Sequence, residues 1–409
     1  MKREKKDVLF LCQFFFPEYI SSATLPYDTA KALNKNGLSV HVLCGYPKEY
    51  VNESKVPLYE KINGIYIRRL RYLQLGRKNF LGRLINYLSF VGVSALHLWE
   101  LKKYKCVIVY SNPPILPLLA VWAKKLFGTK FIFVAYDVYP EIAIRTGEIS
   151  ESGIMAKIMN FINKRVYASA DSVVALGTEM KQFMLKNRRI NDDRITVIPN
   201  WYEDRKENRI HKRVNRFSEK YKDTFVVSYF GNMGTCQDID TILGAIRLLK
   251  KDRKIRFMFA GHGNKMTLLR KTAEGEKLPN VDIYDFLQGQ DFRDALEISN
   301  CALVSIHSDI TGLCVPSKIY GNMMSGLPII AIMGDSDIVE DIKINHMGTV
   351  INNGDSDMLA GTLRAWAENE QECRGMGENA RKVYLRKYTA DICTEKYVKL
   401  VKKILKQNM

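Results

Sequence analysis

Apolar residues in this chain fall into two trains of short runs, separated by stretches with helical spacing. In the first half the runs are DVLFLCQ, SVHVLCG, KCVIVYS, KFIFVAY, DSVVALG and RITVIPN. Several are apolar at nearly every position, the pattern of strands covered on both faces of a parallel sheet. After a polar, charge-dense stretch, WYEDRKENRIHKRVNRFSEKYKD, the rhythm restarts with TFVVSYFG, IRFMFAG, NVDIYDF, CALVSIH, LPIIAIM and MGTVINN. Two successive βα series predict two doubly wound α/β domains facing a cleft, with the charged stretch as linker and edge of the second. The expected limits are 1–200, 201–385 and a C-terminal helix over 386–409 that packs back on the first domain. The tail from GENARKVYLRKYT onward has helical spacing and no breaker.

Length agrees with this division. A chain of 409 residues exceeds what one hydrophobic core usually serves. With 46% apolar and 26% charged residues the composition is that of a folded globular protein. The eight cysteines include no C-x-x-C pair, and several sit in the strand runs. That usage predicts a reduced, cytoplasmic protein with neither a zinc site nor a disulfide framework. The opening MKREKKDVLFLCQFFFPE reads as a strand, its apolar part being too short for a signal peptide.

Charge is placed unevenly. The net value is +18, and residues 1–200 hold 30 Lys and Arg against 16 Asp and Glu. Residues 61–105 hold ten basic residues and one acidic residue, Glu100. A basic half fits nucleic acid, an anionic membrane or a phosphorylated substrate. No zinc-finger, helix-turn-helix or RNP-type pattern is present, so nucleic acid is not expected. The neighbouring segment NFLGRLINYLSFVGVSALHLWELKKYK favours a membrane surface, with no charged residue from Leu84 to Trp99. It falls short of the ~20 residues needed to span a bilayer. At about 100° per residue, Gly82, Arg83, Asn86, Ser89 and His97 fall on one stripe among apolar neighbours. Two readings stand: a buried core helix, or a helix in the membrane interface with Arg71, Arg77, Lys78 and Arg83 near lipid phosphates.

In doubly wound sheets ligands bind beyond the carboxyl ends of the strands, so the loops there carry the candidate chemistry. After TFVVSYF comes GNMGTCQDIDTIL, where Gly231 and Gly234 permit tight turns and close backbone approach before a helix. After IRFMFA comes GHGN, residues 261–264. After CALVSIH comes SDITGLCVPSKIYGNMMSGLP. Pro316 and Ser317 stand at an expected helix start, with Ser317 as a cap, which places Lys318 in the first turn. The helix dipole disfavours a cation there, and a diphosphate between that helix end and the lysine resolves the conflict. The plain alternative is a solvated surface lysine. The Asp pairs at 238, 335 and 355 resemble a metal-binding Asp-x-Asp but read as caps and turns, and the six histidines have no metal spacing. No metal or other cofactor is expected.

These motifs, in this order, resemble the GT-B glycosyltransferases, specifically the large retaining family numbered four, and within it bacterial enzymes of the colanic-acid, O-antigen and capsule type. FFPEYISSATLPYDTAKALNKNGLSVHVL is similar to the family's opening loop and helix, VAYDVYPEIAIRTG to its Asp-x-x-Pro-Glu segment, and VIPNWYEDR to its interdomain segment. YFGNMGTCQDIDTIL, GHGNKMTLL and VPSKIYGNMMSGLPIIA are similar to its donor loops. The resemblance implies a nucleotide-diphosphate sugar on the second domain, contacted by Gly231, Asn232, Gly234, Gln237, Gly261, His262, Gly263, Pro316, Ser317, Lys318 and Tyr320. It implies an acceptor on the first domain, near Glu18, Ser21, Ser22 and Glu141. Asp137 is matched to an aspartate that accepts or orients the acceptor hydroxyl's proton, although an Asp after a strand is also a common cap. Lys318 then stabilises the leaving diphosphate.

The sequence departs from the wider family at four charged positions. Two glutamates fall on Leu313 and Gly321, and the Arg and Lys of the first donor loop fall on Asn232 and Gln237. Lys318 is left as the principal charge for a diphosphate. The expected activity is metal-independent, retaining transfer of a hexose, with UDP favoured as the nucleotide. The expected acceptor is a polyprenyl-diphosphate-linked glycan at the anionic inner face of the cell membrane. The alternatives are a non-catalytic partner subunit of the same fold and a sugar-nucleotide epimerase or hydrolase.

Overall fold

The fully apolar runs form the strands. A computed structural model describes residues 5–48, 51, 55–76, 80–202 and 214–406. The chain divides into two compact units, Met1–Asn200 with Gly312–Val315 and Ala390–Met409, and Trp201–Thr311 with Pro316–Thr389.

The first unit runs β1 Lys6–Cys12, α1 Ser21–Lys35, β2 Val40–Gly45, β3 Tyr59–Ile62, β4 Ile65–Leu70, α2 Phe80–Ala95 and β5 Tyr104–Tyr110. It continues with α3 Pro117–Phe127, β6 Lys130–Val134, α4 Glu141–Arg145, α5 Ile154–Ser169, β7 Ser172–Ala175, α6 Thr178–Asn187 and β8 Ile195–Val197. The sheet order is β3-β4-β2-β1-β5-β6-β7-β8, parallel except for β3, which pairs antiparallel with β4. Strand order reverses between β1 and β5, so the rim beyond Cys12 and Tyr110 is the topological switch point.

The second unit runs β9 Phe225–Phe230, α7 Asp240–Leu248, β10 Ile255–Ala260, α8 Asn264–Gly275, β11 Val281–Tyr284, α9 Gly289–Ile298 and β12 Cys301–Ser305. Then follow α10 Lys318–Met324, β13 Ile329–Ile332, α11 Asp337–Ile344, β14 Gly348–Ile351, α12 Ser356–Glu368 and α13 Glu370–Lys387. Its order, β11-β10-β9-β12-β13-β14, is parallel throughout and reverses between β9 and β12. The core is the inward side of these strands, including Phe225, Val227, Phe257, Leu303 and Ile330, packed under α7 and α12. Phe217 and Tyr221, from the charge-dense stretch read as linker and edge, are buried beside Val226 and Met258. Residues 203–213 of that stretch lie outside the described residues. The last helix, α14 Ala390–Lys406, belongs to the first unit and packs on α1, where Lys402 donates to the Asn36 side chain at 3.0 Å.

One feature was not among the expectations, and another removes one of two readings left open. The β3–β4 hairpin was not among the expected strands. Its signal is Asn63-Gly64, whose positive φ angles of 48° and 80° make the tight turn that matches the twist of paired strands. The second is α2, which is not a core helix: only Asn86, Phe90 and Ser94 among its described side chains are buried. Of its polar stripe only Asn86 is buried, beside Phe90, while Arg83 and Ser89 stay part-exposed. The Asn86 amide bonds the backbone N–H and carbonyl of Leu75 at 2.7 and 2.9 Å, and Arg83 pairs with Glu148 at 2.9 Å. Arg77 and Lys78, placed near lipid phosphates on sequence grounds, lie outside the described residues.

Candidate functional site

In the second unit the residues beyond β9 and β10 form one cradle. The Gly231 N–H donates to the Ala260 carbonyl at 2.8 Å, Met233 N–H to the His262 carbonyl at 2.8 Å, and Lys265 N–H to the Met233 carbonyl at 3.1 Å. Two loops are thereby zipped together. Glycine is required for that approach: a Cβ on Gly261 would lie 2.0 Å from the Gly231 carbonyl oxygen, and one on Gly263 2.2 Å from that of Met233. Both residues also have positive φ, 148° and 120°. Gln237 Oε1 accepts from the Gly234 N–H at 2.6 Å and holds the turn that follows.

Lys318 opens α10 and points into this cradle. Its ammonium donates to the Tyr229 hydroxyl and to the Asn232 carbonyl, both at 2.6 Å. The Tyr229 ring lies beneath it, 4.1 Å from nitrogen to centroid. No carboxylate pairs with this lysine among the described residues, and burial pulls its pKa down to about 7. His262 stands near enough to feel the same charge: burial first, and Lys318 second, hold it below its usual range. Its ring meets Phe286 edge-on at 5.6 Å.

Other residues expected here take different places. Ser317 occupies the cap position of α10, but its side chain makes no capping bond and its backbone is helical, which corrects the expected cap. Pro316 is buried at the start of the same turn. Tyr320 lies about 200° round the helix from Lys318 and is buried against Tyr388 at 5.1 Å. Gly321, where the wider family carries a glutamate, sits beneath the Tyr202 ring, 3.3 Å from a Cβ built there. Tyr229 was not among the sequence candidates, although a tyrosine two residues before the loop glycine at a strand's carboxyl end was available as a signal.

The Asp motifs serve the backbone. Asp238 accepts from the Thr241 N–H at 3.1 Å, the Thr241 hydroxyl at 2.5 Å and the Asn353 amide at 2.7 Å. Burial works against its ionisation, but these bonds outweigh it and keep the carboxyl below its ordinary range. Ser336 and Asp355 cap α11 and α12.

In the first unit Asp137 follows β6 on the rim beside the switch point. Ser111, after β5, accepts from the backbone N–H groups of Tyr136 and Asp137 at 3.0 and 3.2 Å and fixes the turn. Val138 N–H donates to the Leu313 carbonyl at 2.8 Å, so Gly312–Val315 completes this rim. The Asp137 carboxylate has no hydrogen bond or ion pair among the described residues, and burial raises its pKa to about 6. Glu141 is engaged by Arg188 at 2.5 Å. Glu18 is buried and accepts from the Phe15 N–H at 3.3 Å, in a loop that Arg69 braces through the Phe16 carbonyl at 2.8 Å. Ser21 and Ser22 begin α1, the first exposed and the second half-buried.

Two units of doubly wound parallel sheet match the fold of GT-B glycosyltransferase structures. Residues 23–201 match the family described as "Glycosyl transferase 4-like domain", and residues 211–383 match "Glycosyl transferases group 1". The chain belongs to the GT-B glycosyltransferases, with these two family domains in succession. A curated relative, "Probable glycosyltransferase WbjE" of Pseudomonas aeruginosa, is 27% identical over 305 residues, covering 74% of this chain and 75% of the relative. The structure of Anabaena HepE in complex with UDP-glucose is similar with a TM-score of 0.70 at 14% identity, over 97% and 99% of the two chains. That of WaaG, a glycosyltransferase involved in lipopolysaccharide biosynthesis, gives 0.68 at 13% identity, over 96% and 99%.

Proposed function

We propose that this glycosyltransferase moves a hexose, with retention of anomeric configuration, from a UDP-sugar to a hydroxyl of a polyprenyl-diphosphate-linked glycan. The observation that carries the donor side is Lys318, a cation without a carboxylate partner, held over Tyr229 at the mouth of the zipped glycine loops. As the bond from the anomeric carbon to the diphosphate breaks, the leaving oxygen gains charge. A fixed ammonium stabilises that charge without reorganising. The acceptor oxygen forms the new bond, and Asp137 receives or orients its proton, a task for which a pKa near 6 is suited. The nucleotide preference draws support from the UDP-glucose complex of HepE, and the cell-surface glycan acceptor from the role of WaaG. The basic first half supports an anionic, membrane-held acceptor on the inner face of the cell membrane.

Gly321 supplies no carboxylate and has the Tyr202 ring beside it, so the donor contacts at this position differ from those of the wider family. The test is thermal stabilisation by UDP, GDP, dTDP and ADP, on wild type and Lys318→Ala. Expected is a saturable rise with UDP, about 2.7 kcal/mol at a hundred times Kd, abolished in the variant. No response to any nucleotide at millimolar concentration refutes the donor site.

A further inference from the structure

The first unit carries exposed apolar side chains that the site at the strand ends does not use. On α5, Ala156, Ile162, Val166 and Tyr167 face the core. The opposite side is apolar too: Ile154, Ile158 and Phe161 are exposed and follow the i, i+4, i+7 spacing of a single stripe, with Ile154 at 70%. Lys157, Lys164 and Arg165 are exposed beside this stripe, and the Arg165 guanidinium lies 3.3 Å from the Phe161 ring centroid. α3 packs beside α5 and exposes Trp122 and Leu126. A 3₁₀ turn, Leu98–Lys103, packs on α3 in its turn, with Trp99 64% exposed and 4.9 Å from the Phe127 ring. α2 leads into that turn. It buries Asn86 and Phe90 and turns Leu81 and Leu88 to the outside.

Charge is the second observation. The 3₁₀ turn, α3 and α5 together hold seven Lys and Arg and one acid, Glu100. That acid is already paired with Arg68 and His97 at 2.8 Å each. Among the described residues no helix is long and apolar enough to cross a membrane. Exposed tryptophans, an apolar stripe and flanking lysines together are the chemistry of the headgroup boundary.

We propose that the outer face formed by α5, α3, the 3₁₀ turn and α2 docks on the surface of an anionic lipid bilayer. Apolar side chains enter the headgroup boundary, and Lys102, Lys103, Lys125, Lys157, Lys164 and Arg165 meet the lipid phosphates. This rests on the membrane-held acceptor proposed above and names the surface that meets it.

The experiment is binding of the full chain to vesicles of phosphatidylcholine, alone or mixed with phosphatidylglycerol, some carrying brominated acyl chains. Of the four tryptophans, Trp99 and Trp122 are exposed whereas Trp201 and Trp366 are buried, so bromine quenching reports this face. Expected are binding that requires phosphatidylglycerol and weakens with salt, quenching that Trp99→Phe with Trp122→Phe removes, and roughly tenfold or greater loss of binding in Leu88→Gln/Ile158→Gln/Phe161→Gln. A Lys157→Gln/Lys164→Gln variant, which leaves the apolar side chains in place, also weakens binding. Absence of binding to phosphatidylglycerol vesicles, or unchanged binding in the triple variant, overturns the proposal. So does concentration-dependent self-association in solution that the triple variant removes, because a second copy would then cover the face. UDP stabilisation is read on the same samples. Its loss with vesicle binding intact refutes the donor reading alone, and the reverse refutes the docking face alone.

Discussion

The Lys318 ammonium lies 2.6 Å from the Tyr229 hydroxyl and 4.1 Å from the centroid of its ring. A lysine in that position is desolvated by the tyrosine yet has no counter-charge, which is why its pKa falls to about 7. A bound diphosphate supplies the counter-charge and raises it again. UDP binding is therefore expected to take up a proton near and above neutral pH. Affinity should fall as pH rises above about 7, by at most tenfold per pH unit. Calorimetry in buffers of different ionisation heat measures both quantities. A flat affinity with no proton uptake contradicts this role.

Asp137 shifts in the opposite sense. Burial raises its folded-state pKa to about 6, above the ordinary 3.8. The folded state thus binds the proton more tightly, a stabilisation fully present below about pH 4 and lost as pH rises through 6. Asp137→Asn should raise stability at pH 7, by at most about 3 kcal/mol, and lower kcat about 10²–10⁴-fold. Chemical denaturation at pH 4 and pH 7, with turnover on the same preparations, checks both. Unchanged turnover would return Asp137 to the role of a turn residue.

The Gly261→Ala change introduces a Cβ within 2.0 Å of the Gly231 carbonyl at a φ of 148°. The two donor loops must separate to admit it. Expected are a loss of about 1–3 kcal/mol and abolished UDP stabilisation, in contrast with Gly361→Ala on α12, where a Cβ meets nothing within 4 Å. Thermal unfolding of both variants with and without UDP makes the comparison.

Asp238 is committed to Thr241 and Asn353. Asp238→Ala should destabilise the second unit by about 1–3 kcal/mol, with no change in the response of turnover to a chelator. Transferase assays with EDTA and with added magnesium test metal independence directly, since a metal-requiring reaction would stop in EDTA.

The strands of both sheets were legible in the sequence because a parallel strand buried on both faces is apolar throughout, a signal local to each run. Gly231, Gly261, Gly263 and Lys318 were legible as candidates for a similar reason: each follows such a run, where doubly wound sheets place their ligands. The β3–β4 hairpin escaped because its strands are half exposed and mixed in character, leaving only Asn63-Gly64 to announce it. Other features depended on what packs against what, which no local pattern carries. Tyr229 became Lys318's partner through a strand and a helix 89 positions apart in the chain. Tyr320 turned inward by helix rotation, and Glu141 was taken by Arg188. The sequence determined the two βα series, the loops that carry charge and the excess of positive charge in the first half, since these are properties of order and composition. Tertiary structure alone decided that Asn86 and Phe90 are the buried side of α2. A helix's periodicity states which residues share a side, while only its neighbours, here the backbone of Leu75 bonded by Asn86, determine which side is buried.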